Sequence, residues 1–294
     1  MTHIPVLLKE TIEILKPGSG EFFIDGTLGN AGHAKKIIER IKPNGIFLGV
    51  DRDEGAIINY EKQTKNQKNL ILIRGNYADL PEILKRNGLP KADGLLLDLG
   101  FSSDQIEKSH RGFSFLRDEA LLMTYDINEK PAYEWLKDLN EEKLTQIIKE
   151  FGEERFAARI AKAIKKNLPI ATSGKLSEVI KAAVPINYER GRIHPATRTF
   201  LAIRIFVNRE LENLKTLLDQ IPNIMRPEGR VVIISFHSLE DRIVKNAFRN
   251  LAKNNQVTLL TKKPISPTRE EIIENPRARS AKLRAIKITK SPNP

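Results

Sequence analysis

Groups able to meet a small polar ligand stand, in order, at the ends of the first four apolar runs of the chain. "DGTLGNAGH", Asp25 to His33, places glycines at 26, 29 and 32 and then a histidine, a layout that lets backbone approach a ligand where a helix begins. Asp51 closes "GIFLGVD", Tyr77 closes "LILIRGNY", and Asp98 stands near the end of "ADGLLLDLG". The chemistry these types allow is nucleoside binding: an acid that accepts two hydrogen bonds from a ribose diol, a ring to face adenine, and a further acid. The turn is not G-x-G-x-x-G, so a diphosphate cradle is missing and S-adenosylmethionine is favoured over NAD or ATP. Taken singly, each feature has a plainer use: a tight strand-to-helix turn for the glycines, a helix N-cap for Asp51 or Asp53.

These residues need a sheet to line them up. The runs at 22–28, 45–51, 70–77 and 92–100 alternate with helical stretches near 32–41, 53–65 and 79–87. Such a βαβαβαβ pattern predicts an α/β fold, a doubly wound, mostly parallel sheet that binds ligands at the carboxyl ends of its strands. After Asp98 the alternation stops. Residues 140–167 read as two helices broken near Gly152, with Phe156, Ile160 and Ile164 on an apolar face and Arg155, Arg159, Lys162 and Lys166 on a basic one. A further helix is predicted from Pro195, carrying Phe200, Ile203, Val207, Leu211 and Leu214 at helical spacing. The sheet pattern returns with "GRVVIISFH" (229–237), a helix over "SLEDRIVKNAFRNLAK", and an antiparallel pair from "VTLLTKKPI" and "AKLRAIKIT"; residues 262–280 read as a long exposed loop.

Composition bounds the function. At 294 residues and 40% hydrophobic the chain can bury a large core, and no apolar run approaches the ~20 residues that span a bilayer. The first residues lack the basic start of a secretory leader, so a cytoplasmic protein without a membrane role is expected. The absence of cysteine excludes disulfides, thiolate metal sites and a Cys nucleophile. Residues 1–180 hold 27 basic and 27 acidic side chains, whereas 181–294 hold 22 and 10, an excess that suits either a polyanion or a solubilising surface.

The strings "HIPVLLKE" (3–10), "DGTLGNAGH" (25–33), "DGLLLDLGFSSDQ" (93–105), "RGFSF" (111–115), "EFGEERFAARIAKAI" (150–164), "HPATRTFLAIRIFVNRELENL" (194–214), "GRVVIISFHSLEDRIVK" (229–245) and "NPRARSAKLRA" (275–285) cover nearly the whole chain in order. Together they resemble the bacterial 16S rRNA (cytosine-N4)-methyltransferases, the RsmH or MraW family. The resemblance implies a class I, Rossmann-like S-adenosylmethionine-dependent methyltransferase, with residues 1–105 and 210–294 forming the cofactor domain and 106–209 an inserted helical substrate domain. It further implies methylation of the N4 amine of one decoding-centre cytidine in the small ribosomal subunit. Cofactor contacts carried over are Asn30, Ala31, Gly32 and His33 in the turn, then Asp51, Tyr77, Asp98 and Gln105. Two departures stand out. Asn30-Ala31 occupies a place where two glycines are common, and "DEALLMTYD" puts Leu122, Thr124 and Tyr125 where the family has an Asp, an Arg and a Met.

A methyl transfer to that amine needs in-line positioning and acceptors for the amine N–H groups, a role open to Asp98 as the catalytic residue or to the carbonyls of Leu99 to Phe101. Without cysteine, methylation at cytosine C5 is excluded. A base must be flipped out or met single-stranded, and Phe113 and Phe115 are candidates to stack on it, although core packing is the ordinary use of such rings. Arg111, His194, Arg198 and Arg204, with Arg277, Arg279 and Lys282, are candidate phosphate contacts, and Ser235 and His237 are expected to line the substrate side. "SFHSLEDR" lacks a G-x-S-x-G elbow and does not read as a hydrolase triad; Glu240 and Asp241 there suit a first helical turn. The five histidines show no metal-ligand spacing, so no metal is implied. Two other readings stay open, a nucleotide-dependent oxidoreductase and an RNA-binding homologue without catalysis, and the chain could act as a homodimer.

Overall fold

Leu95, Leu96 and Leu97 are all buried, which a strand achieves only when both its faces are covered. In the computed structural model, which describes residues 4–64, 67, 69–100, 109–188 and 193–289, Leu95 and Leu97 belong to one core and Leu96 to another. Five parallel strands build this part of the sheet: β1 (Phe22–Asp25), β2 (Ile46–Asp51), β3 (Leu70–Arg74), β4 (Ala92–Asp98) and β5 (Met225–Ser235). A short β6 (Val257–Leu259) and β7 (Lys282–Ile288) form the expected antiparallel pair, and β7 also runs antiparallel to β5. The sheet order is β3-β2-β1-β4-β5-β7-β6. Two successive halves thus wind outward from β1 and β4, and the topological switch lies between those strands, at the ends of which Asp25 and Asp98 sit.

Helices α1 (Leu8–Leu15), α2 (Gly32–Ile41), α3 (Glu54–Gln63) and α4 (Leu80–Arg86) belong to this part of the chain. The chain divides into two compact units, Met1–Gly100 with Leu211–Pro294, and Phe101–Glu210. The second is helical: α5 (Ala132–Asp138), α6 (Glu141–Gly152), α7 (Ala157–Lys166), α8 (Ser173–Ala183) and α9 (Ala196–Asn208) surround a core that includes Leu144, Ile148, Ile160, Ile164, Ile180 and Phe200. The break after Gly152 is made by Glu153 in a left-handed conformation, φ 49°. Then come α10 (Glu210–Ile224), α11 (Ser238–Lys253) and α12 (Arg269–Glu274).

Two sequence expectations are corrected. The helix from Pro195 does not run on to Leu214: it stops at Asn208, Arg209 turns left-handed at φ 52°, and α10 starts afresh. Asn208 causes the stop by hydrogen bonding, its Nδ2 donating to the carbonyls of Arg204 and Met123. Residues 262–280 are not a plain exposed loop. They contain α12 and a 3-10 turn at Pro276–Ser280 with Ala278 buried, and Glu271 Oε1 accepts the Leu7 N–H at 2.7 Å. Tyr77 follows the third strand as expected: β3 ends at Arg74 and Tyr77 opens a 3-10 turn, Tyr77–Asp79. Among the described residues no helix is long and apolar enough to cross a membrane.

Candidate active site

The turn after β1 is tied to its neighbours by one hydroxyl. Thr27 Oγ1 accepts the backbone N–H of Asp98 at 2.6 Å and lies 3.4 Å from Asp25 Oδ1, to which it donates. The Thr27 N–H also reaches Asp25 Oδ1, at 3.0 Å. A single threonine thus fixes the ends of β1 and β4 relative to each other. Sequence reading passed over Thr27 and treated Asp25 only as part of the turn; the signal available was the D-G-T string directly after an apolar run.

Asp51 is committed to the same turn. Its Oδ2 accepts the Gly29 N–H at 2.8 Å and its Oδ1 the Asp53 N–H at 2.9 Å. The helix-capping role belongs to Asp53, whose Oδ1 accepts the Gly55 N–H at 3.1 Å at the start of α3. Each Asp51 oxygen keeps a second lone pair, so the carboxylate can still accept from two hydroxyls. Tyr77 packs close to this turn: a Cβ built on Gly26 would stand 3.0 Å from the Tyr77 Cβ. At Gly32 the demand comes from the protein itself, because a Cβ there would lie 2.2 Å from Pro5 Cγ.

Ala31 takes the left-handed conformation, φ 57°, with its methyl buried, and its N–H donates to Leu28 O at 2.7 Å. The strain costs about 1 kcal/mol relative to glycine but leaves the turn intact. His33 follows on α2, buried; its Nε2 must donate to Val6 O at 2.9 Å because a carbonyl only accepts, and its Nδ1 lies 3.7 Å from Asp98 Oδ2.

Three carboxyl groups therefore converge with little to neutralise them. Burial pushes Asp25 up to about 7, partly opposed by the Thr27 N–H and reinforced by Asp51. Burial raises Asp51 to about 6 against the Asp53 and Gly29 N–H groups. Asp98 is held well above the usual range by burial, then by Asp25 and Glu240. Its Oδ1 is buried with no hydrogen-bond partner among the described residues. Perturbed carboxyls gathered at a strand switch point mark a functional site, and their sign calls for a cation.

The other expected site residues are placed as follows. Ser235 is buried and its Oγ donates to Lys282 O at 3.3 Å. His237 caps α11, its Nδ1 accepting the Glu240 N–H at 3.4 Å while Glu240 Oε2 accepts the Phe236 N–H at 2.9 Å. In the helical unit, Phe115 stacks on His194 with centroids 4.3 Å apart and meets Phe200 edge-on, and Phe113 stacks on Tyr125 at 5.6 Å. Burial first, and then Lys181, holds His194 below its ordinary value. Arg111 uses its guanidinium on the carbonyls of Thr124 and Tyr125, at 3.3 and 2.7 Å. Arg204 is a correction: it is buried and doubly bonded to Glu210 at 2.8 and 2.9 Å, so it cannot serve a phosphate. Arg198 is half-buried on α9, and Asn30 half-buried in the first turn. Gln105 and Phe101 lie outside the described residues.

Residues 1–289 match the model of the MraW methylase family. The chain belongs to the MraW methylase family. Curated relatives named ribosomal RNA small subunit methyltransferase H include one from Thermotoga neapolitana, 45% identical over 97% of this chain and 96% of its own. Another, from Halothermothrix orenii, is 41% identical over 97% of each chain, and one from Clostridioides difficile is 43% identical over 96% of this chain and 97% of its own. A solved structure, a putative rRNA-methylase from Clostridium thermocellum, shares the fold with TM-score 0.51 at 10% identity, covering 98% of this chain and 100% of that one.

As an MraW methylase the chain is a methyltransferase and uses S-adenosylmethionine. The residues present fit that cofactor: Asp51 retains acceptors for a ribose diol, Tyr77 flanks the glycine turn, and the three raised carboxyls suit a sulfonium. The departure at Leu122 to Tyr125 is also accommodated. Tyr125 OH donates to Glu210 Oε1 at 2.9 Å and the Tyr125 N–H to Asn208 Oδ1 at 2.8 Å, so Tyr125 is fastened to the last residue of α9 and the first of α10.

Proposed function

We propose that this chain methylates the exocyclic N4 amine of a cytidine in 16S rRNA, at the decoding centre of the small ribosomal subunit, with Asp98 as the catalytic residue. The names of the full-length relatives support small-subunit rRNA as the substrate. The observation that carries the choice of an amine is the buried, unpartnered Oδ1 of Asp98 at the end of β4.

The cytosine amine is a weak nucleophile because its lone pair is delocalised into the ring. S-adenosylmethionine supplies an electrophilic methyl on a positively charged sulfur. A carboxylate oxygen that accepts an amine N–H localises the lone pair and can take the proton the nitrogen must lose once it has gained a methyl. A group whose proton affinity is raised, as Asp98's is, suits the second task better than an ordinary aspartate. Cation binding beside Asp25, Asp51 and Asp98 offsets their mutual repulsion and draws Asp98 toward the ionised form that this role requires.

The test is labelled-methyl transfer to small subunits and to naked 16S rRNA, followed by nucleoside analysis. N4-methylcytidine is expected from the unmodified protein and should be lost in Asp98→Asn. Label on C5 or on adenine would overturn the assignment.

A further inference from the structure

The even charge balance of residues 1–180 conceals a segregated surface in the helical unit. From Arg155 to Lys166 there are five basic residues and no acidic one. Lys165 has a structural use: its ammonium donates to the carbonyls of Leu136, Lys137 and Leu139, closing the C-terminal end of α5. The other four differ. Arg155, Arg159, Lys162 and Lys166 are all exposed, and among the described residues none has a hydrogen bond or an ion pair with a carboxylate.

Helical geometry puts them together. At 100° per residue, Arg159, Lys162 and Lys166 lie within about 60° of one another, and along the axis they span roughly 10 Å. Ala157, Ile160, Ala161 and Ile164 occupy the buried face of the same helix. Arg155 precedes the helix and is brought to the stripe by the half-buried Phe156 ring, which lies 4.9 Å from the Arg155 guanidinium and 5.8 Å from that of Arg159. Two like charges are thus gathered on one ring with no acid between them. Some lysines on other elements are paired with an acid, as in Lys36 with Glu39, Lys175 with Glu178 and Lys130 with Asp138. Glu154, the acid nearest in sequence to Arg155, is turned inward, accepting from Tyr188 OH at 2.5 Å and the Phe156 N–H at 2.8 Å.

We propose that the outward face of α7, Arg155, Arg159, Lys162 and Lys166 with Phe156 beneath, is a docking surface for the RNA phosphate backbone, separate from the methyl-transfer residues. The inference rests on the rRNA reading above and adds to it where the RNA is held. A phosphate chain is the occupant that the charge favours, because closely spaced cations without acids repel one another unless a polyanion neutralises them. Guanidinium groups already oriented by an aromatic ring also lose less freedom on binding.

Binding of labelled 16S rRNA fragments over a salt series tests this. Arg159→Glu with Lys162→Glu and Lys166→Glu should weaken binding at least ~10-fold at moderate salt and lower the salt slope by roughly 2, as expected for three lost phosphate contacts. Lys162→Gln with Lys166→Gln, which breaks no hydrogen bond or ion pair among the described residues, should reduce the slope by about 1. In both variants calorimetric affinity for S-adenosylmethionine should stay the same, which identifies correctly folded protein. Unchanged affinity and salt slope in such protein would overturn the proposal. So would binding lost to assembled small subunits but kept to naked rRNA, which would assign the stripe to an acidic protein. Wild-type chain that binds rRNA through this face yet forms no N4-methylcytidine would sink the activity reading alone.

Discussion

Asp25→Asn isolates the electrostatic cost of gathering these buried acids. The substitution keeps the shape and leaves Oδ1 able to accept from the Thr27 N–H at 3.0 Å, while removing a charge from a fully buried position. The rise from 3.8 to about 7 corresponds to roughly 4 kcal/mol between the protonated and ionised forms, at ~1.4 kcal/mol per pH unit. Asp51 and Asp98 titrate in the same site, so part of the relief is shared and a gain of ~1–3 kcal/mol at pH 8 is expected. The direction follows from proton counting. A carboxyl raised on folding binds its proton more tightly in the folded state, so its contribution to stability is complete below about pH 4 and is lost as pH rises through 7. Cofactor-free wild-type protein should therefore melt at progressively lower temperature between pH 5 and pH 8. Asp25→Asn should melt higher at pH 8, by ~2–4 °C per kcal/mol, with a flatter profile and weaker affinity for S-adenosylmethionine. Thermal denaturation over that pH range, with and without cofactor, measures each quantity. A variant that melts lower than wild type at pH 8, or keeps the wild-type slope, would refute the idea that the acids form an uncompensated anionic cradle.

Other residues give sharper local tests. Thr27→Val removes the acceptor of the Asp98 N–H and should cut methyl-transfer turnover about 10-fold or more, with Thr27→Ser restoring most of it. Ala31→Val puts a β-branched side chain at φ 57° and should cost more than ~2 kcal/mol in denaturant unfolding. Tyr125→Phe removes one of the bonds to Glu210 and should cost ~1 kcal/mol, whereas Arg204→Met strands a buried carboxylate and should cost ~3–5 kcal/mol. Equal effects of the last two in equilibrium unfolding would show that Glu210 is not held chiefly by Arg204.

The sheet was legible because a parallel strand buried on both faces leaves an unbroken apolar run, as in Leu95 to Leu97, and because α2 and α11 carry regular apolar spacing. The strand-end acids were legible for the same reason: a carboxyl that ends such a run needs a use. What sequence could not settle was partner choice. Asp51 and Asp53 are interchangeable as strings, and only the hydrogen bonds show that Asp53 caps the helix while Asp51 reaches back to Gly29. Arg204 looked like a surface cation on a helix, since its partner Glu210 lies beyond a break that apolar periodicity does not reveal. The order in residues 262–280 depends on contacts with Ile4 and Leu7, more than two hundred and fifty residues away, and no local pattern encodes it.

The pairing of β4 with β5 has a consequence for how the protein is made. Gly94 stands in register with Arg230, and the whole helical unit is encoded between them. At synthesis rates of ~5–20 residues per second, the edge of β4 waits roughly ten seconds for its partner. During that interval β1 to β4 can assemble, but the strand that ends in Asp98 presents open backbone groups and an apolar face to anything nearby. The strand that ends in Asp98 is thus open to misassociation in the nascent chain, and its edge is covered only when β5 has emerged.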